Sequence, residues 1–262
     1  MKIRITGILL LCTVIVLSLP LSSCDQNSTA SDLESVSDRS PPQTQFVDVP
    51  QWAIEAVAFV ADREIMVGVG NNLFNPQSNI TKKEVAATFY RIAGTPETIP
   101  EKHINGKVYY YDDLQDSSVW YYKALLWCLN QNAIDFVQDF PPTGGCLASP
   151  DEVVTRSDIV KYIFQFARDY LQLVDIGGEY LGNGVFSRGD VGTWEEFLSH
   201  NFVDLDEGFK RSAARGGWKW AVKQGIIFGY EDNSLRPENP VTRAEYAAII
   251  TRFIKHFDLQ FE

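Results

Sequence analysis

The chain has 262 residues, with 34 acidic and 23 basic side chains and a formal charge of −11. A composition that is 45% hydrophobic and 22% charged is that of a folded chain of one or two domains, which excludes wholesale disorder. The acidic balance excludes a general nucleic-acid binder, which needs clustered Lys and Arg, and four Cys are too few for a disulfide-built scaffold.

Lys2 and Arg4 precede an apolar run, residues 5–19, that is short for a membrane span of about 20 residues. A basic start, an apolar stretch and small residues read as a secretory signal peptide. Leu21-Ser22-Ser23-Cys24 resembles a bacterial lipobox, which implies lipid on Cys24 and cleavage after residue 23. The alternatives are an ordinary signal peptide or an uncleaved anchor. The polar stretch that follows favours lipidation. Cleavage would remove Lys2 and Arg4 and take the charge from −11 to −13. Residues 24–45, rich in Ser, Asp, Thr, Gln and Pro, read as a disordered tether reaching roughly 70 Å at most.

Three segments of the remainder align with one another. They open with Phe46-Val47-Asp48, Tyr111-Asp112-Asp113 and Phe202-Val203-Asp204. Helix-period stretches follow at residues 52–64, 120–132 and 209–225. Each then reaches a Pro five residues before a Thr: Pro76 and Thr81, Pro150 and Thr155, Pro237 and Thr242. The Thr opens a second helix in each case, and the second segment carries a six-residue insertion near Pro141 and Pro142. The predicted fold is mainly α, with three helix–loop–helix repeats at 46–96, 111–171 and 202–262. Linkers fall at 97–110 and 172–201. Residues 102–111 could form a short hairpin around Asn105-Gly106. Thr193-Trp194-Glu195-Glu196 could cap a short helix in the second linker.

Thr followed three residues later by an acid is a capping box, so Thr81 with Glu84, Thr155 with Asp158 and Thr242 with Glu245 read as structural. The residue after each Thr is basic: Lys82, Arg156 and Arg243. A cation at the positive end of a helix dipole is unfavourable by up to ~1 kcal/mol, so an anion at the same helix start is expected in compensation. A solvated or locally paired side chain is the plain alternative, and threefold recurrence argues against it.

These motifs together resemble the S-layer homology (SLH) family: an aromatic-x-Asp start, a Trp-bearing helix, a Gly turn, and a Thr-Arg-Ala-Glu helix start. Val241-Thr242-Arg243-Ala244-Glu245 and Gly229-Tyr230 match best. Lys82 replaces the Arg in the first repeat, and the second lacks the Gly turn, with Phe136 near that place. The resemblance implies a pseudo-threefold bundle whose inter-repeat grooves bind a secondary cell-wall polysaccharide, often one with pyruvylated, anionic sugars. Carried over by position, Lys82, Arg156 and Arg243 would be the basic groove residues. Trp52 and Trp120 would stack on a sugar ring or pack in the core. Asp48, Asp113 and Asp204 would bond sugar hydroxyls or cap the first helix. Gly68 and Gly229 would supply a positive φ and leave room for ligand.

Cys128 and Cys146 could pair as a disulfide or lie as two buried thiols. His103, His200 and His256 show no zinc spacing, and no phosphate loop, Gly-x-Ser-x-Gly or Cys/His signature is present, so neither an enzyme nor a metal or cofactor is expected. Asp112, Asp113 and Asp116 read as a solvated loop or a weak cation site. The reading is an exported lipoprotein at the cell envelope, held to the membrane by lipid and to the wall by polysaccharide. The alternative is a degenerate repeat domain that binds another envelope protein.

Overall fold

Six helices dominate the computed structural model, which describes residues 45–99, 101, 103–104, 107–108, 110–135, 137–138, 146–174, 197–198, 200–206, 209 and 214–261. Cys24, the proposed tether and Thr193-Trp194-Glu195-Glu196 lie outside the described residues. Helix α1 (Ile54–Asp62) follows a 3-10 turn, Gln51–Ala53. The others are α2 (Lys82–Ile92), α3 (Tyr122–Asn130), α4 (Arg156–Gln165), α5 (Arg215–Lys223) and α6 (Arg243–His256). A π-helical turn, Phe166–Tyr170, extends α4. Two antiparallel hairpins complete the elements: β1 (His103–Ile104) with β2 (Lys107–Val108), and β3 (Val137–Gln138) with β4 (Cys146–Leu147). The first is the hairpin expected around Asn105-Gly106, and the second brackets the six-residue insertion.

The helices α2, α4 and α6 start at the three Thr residues because their capping boxes form. The backbone N–H groups of Thr81, Thr155 and Thr242 donate to Glu84, Asp158 and Glu245 at 2.9, 3.0 and 2.8 Å. Such a cap is worth about 1 kcal/mol. Behind the cap, Val85, Phe89 and Ile92 on α2, Ile159 and Ile163 on α4, and Tyr246, Ile250 and Phe253 on α6 are buried, as their spacing requires. The first helices each end in the left-handed conformation, at Glu64, Asn132 and Gly225. There Ile65, Ala133 and Ile226 donate back to Val60, Cys128 and Ala221, closing the last turn.

Three helix–loop–helix units are thereby formed, and they join in a ring. Helix α3 packs on α2, α5 on α4, and α1 on α6, so each first helix lies against the second helix of the preceding unit. Where the three meet, Ile80 N donates to Val241 O, Val241 N to Val154 O and Val154 N to Ile80 O, at 2.8, 3.0 and 3.1 Å. This closed circuit of three bonds among buried side chains is the pseudo-threefold centre. The core around it contains Trp127, Trp218 and Trp220, fully buried, with Phe89 stacked on Phe166 at 4.5 Å. Each such side chain contributes on the order of 2 kcal/mol by burial.

Cys128 and Cys146 are both buried and unbonded to each other. Cys128 points to Ala86 O within the core, while Cys146 sits on β4 opposite Gln138. The expected alternative of a disulfide is therefore replaced by two thiols that pack as small apolar groups.

Candidate functional site

The unit boundaries consume the groups that the sequence offered to an anion. At each second helix the first N–H donates to a carbonyl of the next unit: Lys82 to Glu152 at 2.9 Å, Arg156 to Asn239 at 3.0 Å, and Arg243 to Ser78 at 2.9 Å. The second N–H donates to a proline carbonyl: Lys83 to Pro150, Ser157 to Pro237 and Ala244 to Pro76. The recurring Pro thus supplies an inter-unit helix cap. None of these three helix starts is left open for an anion, which corrects the expectation of free N–H groups there.

The basic side chains behave in the same way. Lys82, Arg156 and Arg243 are only 2%, 5% and 5% exposed. Lys82 pairs with Glu152. Arg156 donates to Leu235 O at 2.7 Å and Phe228 O at 2.8 Å. Arg243 donates to Phe74 O at 2.9 Å and Val67 O at 2.8 Å and pairs with Glu84. Each cation therefore clasps the turn of the neighbouring unit, and this recurring clasp compensates the helix dipole.

Among the described residues Asp48, Asp113 and Asp204 cap no first helix. Each carboxylate accepts from two consecutive backbone N–H groups of its own unit's loop: Phe74 and Asn75, Ala148 and Ser149, Leu235 and Arg236, all at 2.7–2.8 Å by the closer oxygen. They are loop ties, with Asp113 so engaged rather than free for a cation. Among the described residues no group of three or more His, Cys, Asp or Glu could hold a metal ion.

Gly68 and Gly229 are not among the positive-φ residues. Glycine is needed there for space. A Cβ at Gly68 would lie 2.4 Å from the Phe46 ring and 2.7 Å from Leu73 O, and one at Gly229 would lie 2.7 Å from the Phe202 ring. In the first and third units the opening aromatic, Phe46 or Phe202, therefore packs against the glycine turn.

What remains open is a groove beside the Arg243 clasp, with a volume of about 320 Å³. Its walls come from all three units: Met66 to Val69 in the first turn, Glu84, Ala87, Thr88 and Arg91 on α2, Trp120 before α3, and Arg243 from α6. Trp120 is 63% exposed and Trp52 60%, so neither packs in the core. Arg91, which the sequence reading missed, donates to Ile65 O at 3.1 Å. Burial lowers its pKa, the Glu64 carboxylate offsets part of that, and the nearby Arg243 charge lowers it further. Two guanidinium groups thus line one groove with the Glu84 carboxylate.

The equivalent position in the third unit repeats the pattern. Arg252 holds the place of Arg91, ten residues after the capping Thr in both cases. Its guanidinium lies 5.0 Å from the Phe228 ring centre. Burial, then the Arg156 charge, lowers its pKa. Tyr230 donates to Glu245 at 3.2 Å, and its ring lies 4.8 Å from Arg156 and 4.0 Å from Arg236. The middle position differs. Gln165 replaces the Arg, Asp135 replaces Val67 or Phe228, and Lys161 pairs with Asp135. Gln165 also donates to Asp135, at 3.2 Å.

Residues 46–86 and 219–247 match the family model of the S-layer homology domain. These two regions of the chain are similar to the S-layer homology domain. The chain is 26% identical over 216 residues to the Surface-layer 125 kDa protein of Lysinibacillus sphaericus, covering 81% of the chain and 15% of that protein. It is 26% identical over 188 residues to the Cellulosome-anchoring protein of Acetivibrio thermocellus, covering 72% and 35%. An Amylopullulanase of Thermoanaerobacterium thermosulfurigenes is 24% identical over 200 residues, 76% of the chain and 9% of that enzyme. The chain thus spans about a third or less of the length of these relatives.

Proposed function

We propose that this SLH chain holds its bearer at the cell surface by binding an acidic wall polysaccharide non-covalently. Attachment at the cell surface is the coarse reading supported by the family and by the surface-layer and anchoring relatives. The finer reading rests on one observation: Arg91 and Arg243 line the same groove beside the exposed Trp120. Two guanidiniums that raise each other's electrostatic cost are stabilised by a carboxylate between them, and Arg presents a planar fork suited to it. The indole face would cover the apolar face of a sugar ring. A pyruvylated sugar, which carries a carboxylate on a ketal, fits both demands. Gly68 and Gly229 keep the turns low, Arg243 and Arg156 shape the groove floors while clasping the next unit, and the Asp ties hold the loops.

The middle unit, 111–171, is on this reading a degenerate SLH repeat between two better-preserved ones. The chain acts by binding and not by catalysis. Residues 1–23 would direct export, and lipid on Cys24 would tie the SLH domain to the membrane that faces the wall. Among the described residues no helix is long and apolar enough to cross a membrane. The deciding experiment is co-sedimentation of the chain with cell walls before and after removal of secondary polysaccharide. Binding that disappears on removal is expected. Equal binding to both preparations would defeat the polysaccharide reading.

A further inference from the structure

The groove beside Arg243 has an equivalent position in each of the other two units, and the three positions share one plan but are chemically unequal. In the first, the pair is Arg91 and Arg243, beside Trp120. In the third, the Arg252 guanidinium lies 5.0 Å from the Phe228 ring centre and Arg156 donates to Phe228 O, and Trp52 holds the sequence position equivalent to Trp120. In the middle groove the outer Arg is Gln165. Its remaining outer cation, Lys161, is not available to a ligand: Asp135 pairs with it and also accepts from Gln165. Asp158 lies 3.9 Å from the same Lys161 ammonium. The inner cation, Lys82, is buried against Glu152. Three carboxylates thus face two amines there, and Asp135 stands where the other grooves carry Val67 and Phe228.

We infer that the chain's own Asp135 carboxylate fills the middle groove, so that the domain is a two-site clamp for an acidic repeating polymer. The inference rests on the polysaccharide reading and goes further by setting which grooves bind and how many. An incoming acidic sugar would meet net negative charge in the middle groove. In the outer grooves it would meet a guanidinium pair and an exposed indole. A polymer that engages both outer grooves binds the second intramolecularly. The second contact then multiplies affinity by an effective concentration in place of adding a second weak site.

The test is titration calorimetry on the full chain in mild detergent. The probes are single repeating units released from the wall polysaccharide by partial acid hydrolysis, and the intact polymer. Two fragment sites per chain are expected. Trp120→Ala and Trp52→Ala, both at exposed positions, should each lower the number to one. Lys161→Ala should leave it at two. Each Trp variant should weaken intact polymer at least tenfold. One or three fragment sites on the unaltered chain would overturn the two-site clamp while leaving polysaccharide binding in place. A loss of sites in Lys161→Ala would also overturn it. Binding of neither fragment nor polymer would remove the underlying reading as well.

Discussion

Arg243 on α6 and Glu84 on α2, 159 residues apart in sequence, form the ion pair that clasps the last unit to the first. The other Glu84 oxygen receives the Thr81 N–H and hydroxyl of the α2 capping box. One carboxylate therefore links ring closure to helix initiation. Arg243→Ala would strand Glu84 and withdraw donors from Phe74 O and Val67 O. A loss of about 3–5 kcal/mol is expected, as for other buried pairs broken on one side. Arg243→Lys should recover the charge but not the fork. Urea unfolding midpoints measure both, and a loss below about 1 kcal/mol for the Ala variant would contradict the clasp.

The three clasps differ in strength. Arg156 is held by two carbonyls in buried surroundings. Lys82 is held by Glu152, whose side chain is about half exposed. Arg156→Ala should therefore cost more than Lys82→Ala, with the latter near 1 kcal/mol because its partner keeps its water. Paired thermal melts would settle the order. Equal losses would mean that solvent at Glu152 does not weaken that joint.

The helical pattern and the capping boxes were legible because they depend on neighbours three and four residues away. The roles of Lys82, Arg156 and Arg243 were not. Their basic character at a helix start reads equally as a ligand site or as a clasp, and only the ring of units brings carbonyls 72–176 residues distant to the guanidiniums. The Asp ties were hidden for the same reason, since Asp48 and Asn75 meet only once the unit is closed. Arg91 and Arg252 stand at equal distances from their Thr, so alignment alone carried the signal that was passed over. The exposure of Trp52 and Trp120 follows from which helix face meets the next unit, which no single repeat reveals.

Two adjacent glycines on α5 separate packing from propensity. A Cβ at Gly217 would lie 2.7 Å from Val160 O on α4, whereas one at Gly216 would meet nothing within 4 Å. Gly217→Ala should force α5 away from α4 and cost about 1–3 kcal/mol. Gly216→Ala should be stabilising by about 0.5 kcal/mol, because a helix start loses backbone entropy with Gly. Opposite signs in chemical denaturation are expected. A destabilised Gly216→Ala would show that the α5 start needs glycine for some other reason.

The grooves predict a separation of binding from stability. Arg91 touches one carbonyl and Trp120 is largely exposed, so Trp120→Ala should leave the unfolding free energy within about 0.5 kcal/mol. Its affinity for walls should fall at least tenfold if the indole covers a sugar. Parallel sedimentation and melting of this variant test both statements together. Unchanged wall binding would take Trp120 out of the site.

The core makes a prediction at alkaline pH. Burial raises the Cys128 thiol pKa well above its ordinary 9.0, and the Tyr246 phenol is raised above 10.0 for the same first cause. Both groups keep their protons in the folded chain after the unfolded chain has released them. The unfolded state then binds fewer protons, so stability falls as pH rises. Well below pH 9.0 both states hold these protons and no such slope arises. The same burial should keep Cys128 and Cys146 unreactive to iodoacetamide at pH 8.5 until the chain unfolds, when both should alkylate without prior reduction. Peptide mass analysis after labelling with and without urea reads this directly. Labelling of Cys128 and Cys146 that required a reductant would place a disulfide between two residues that the structure keeps as separate thiols.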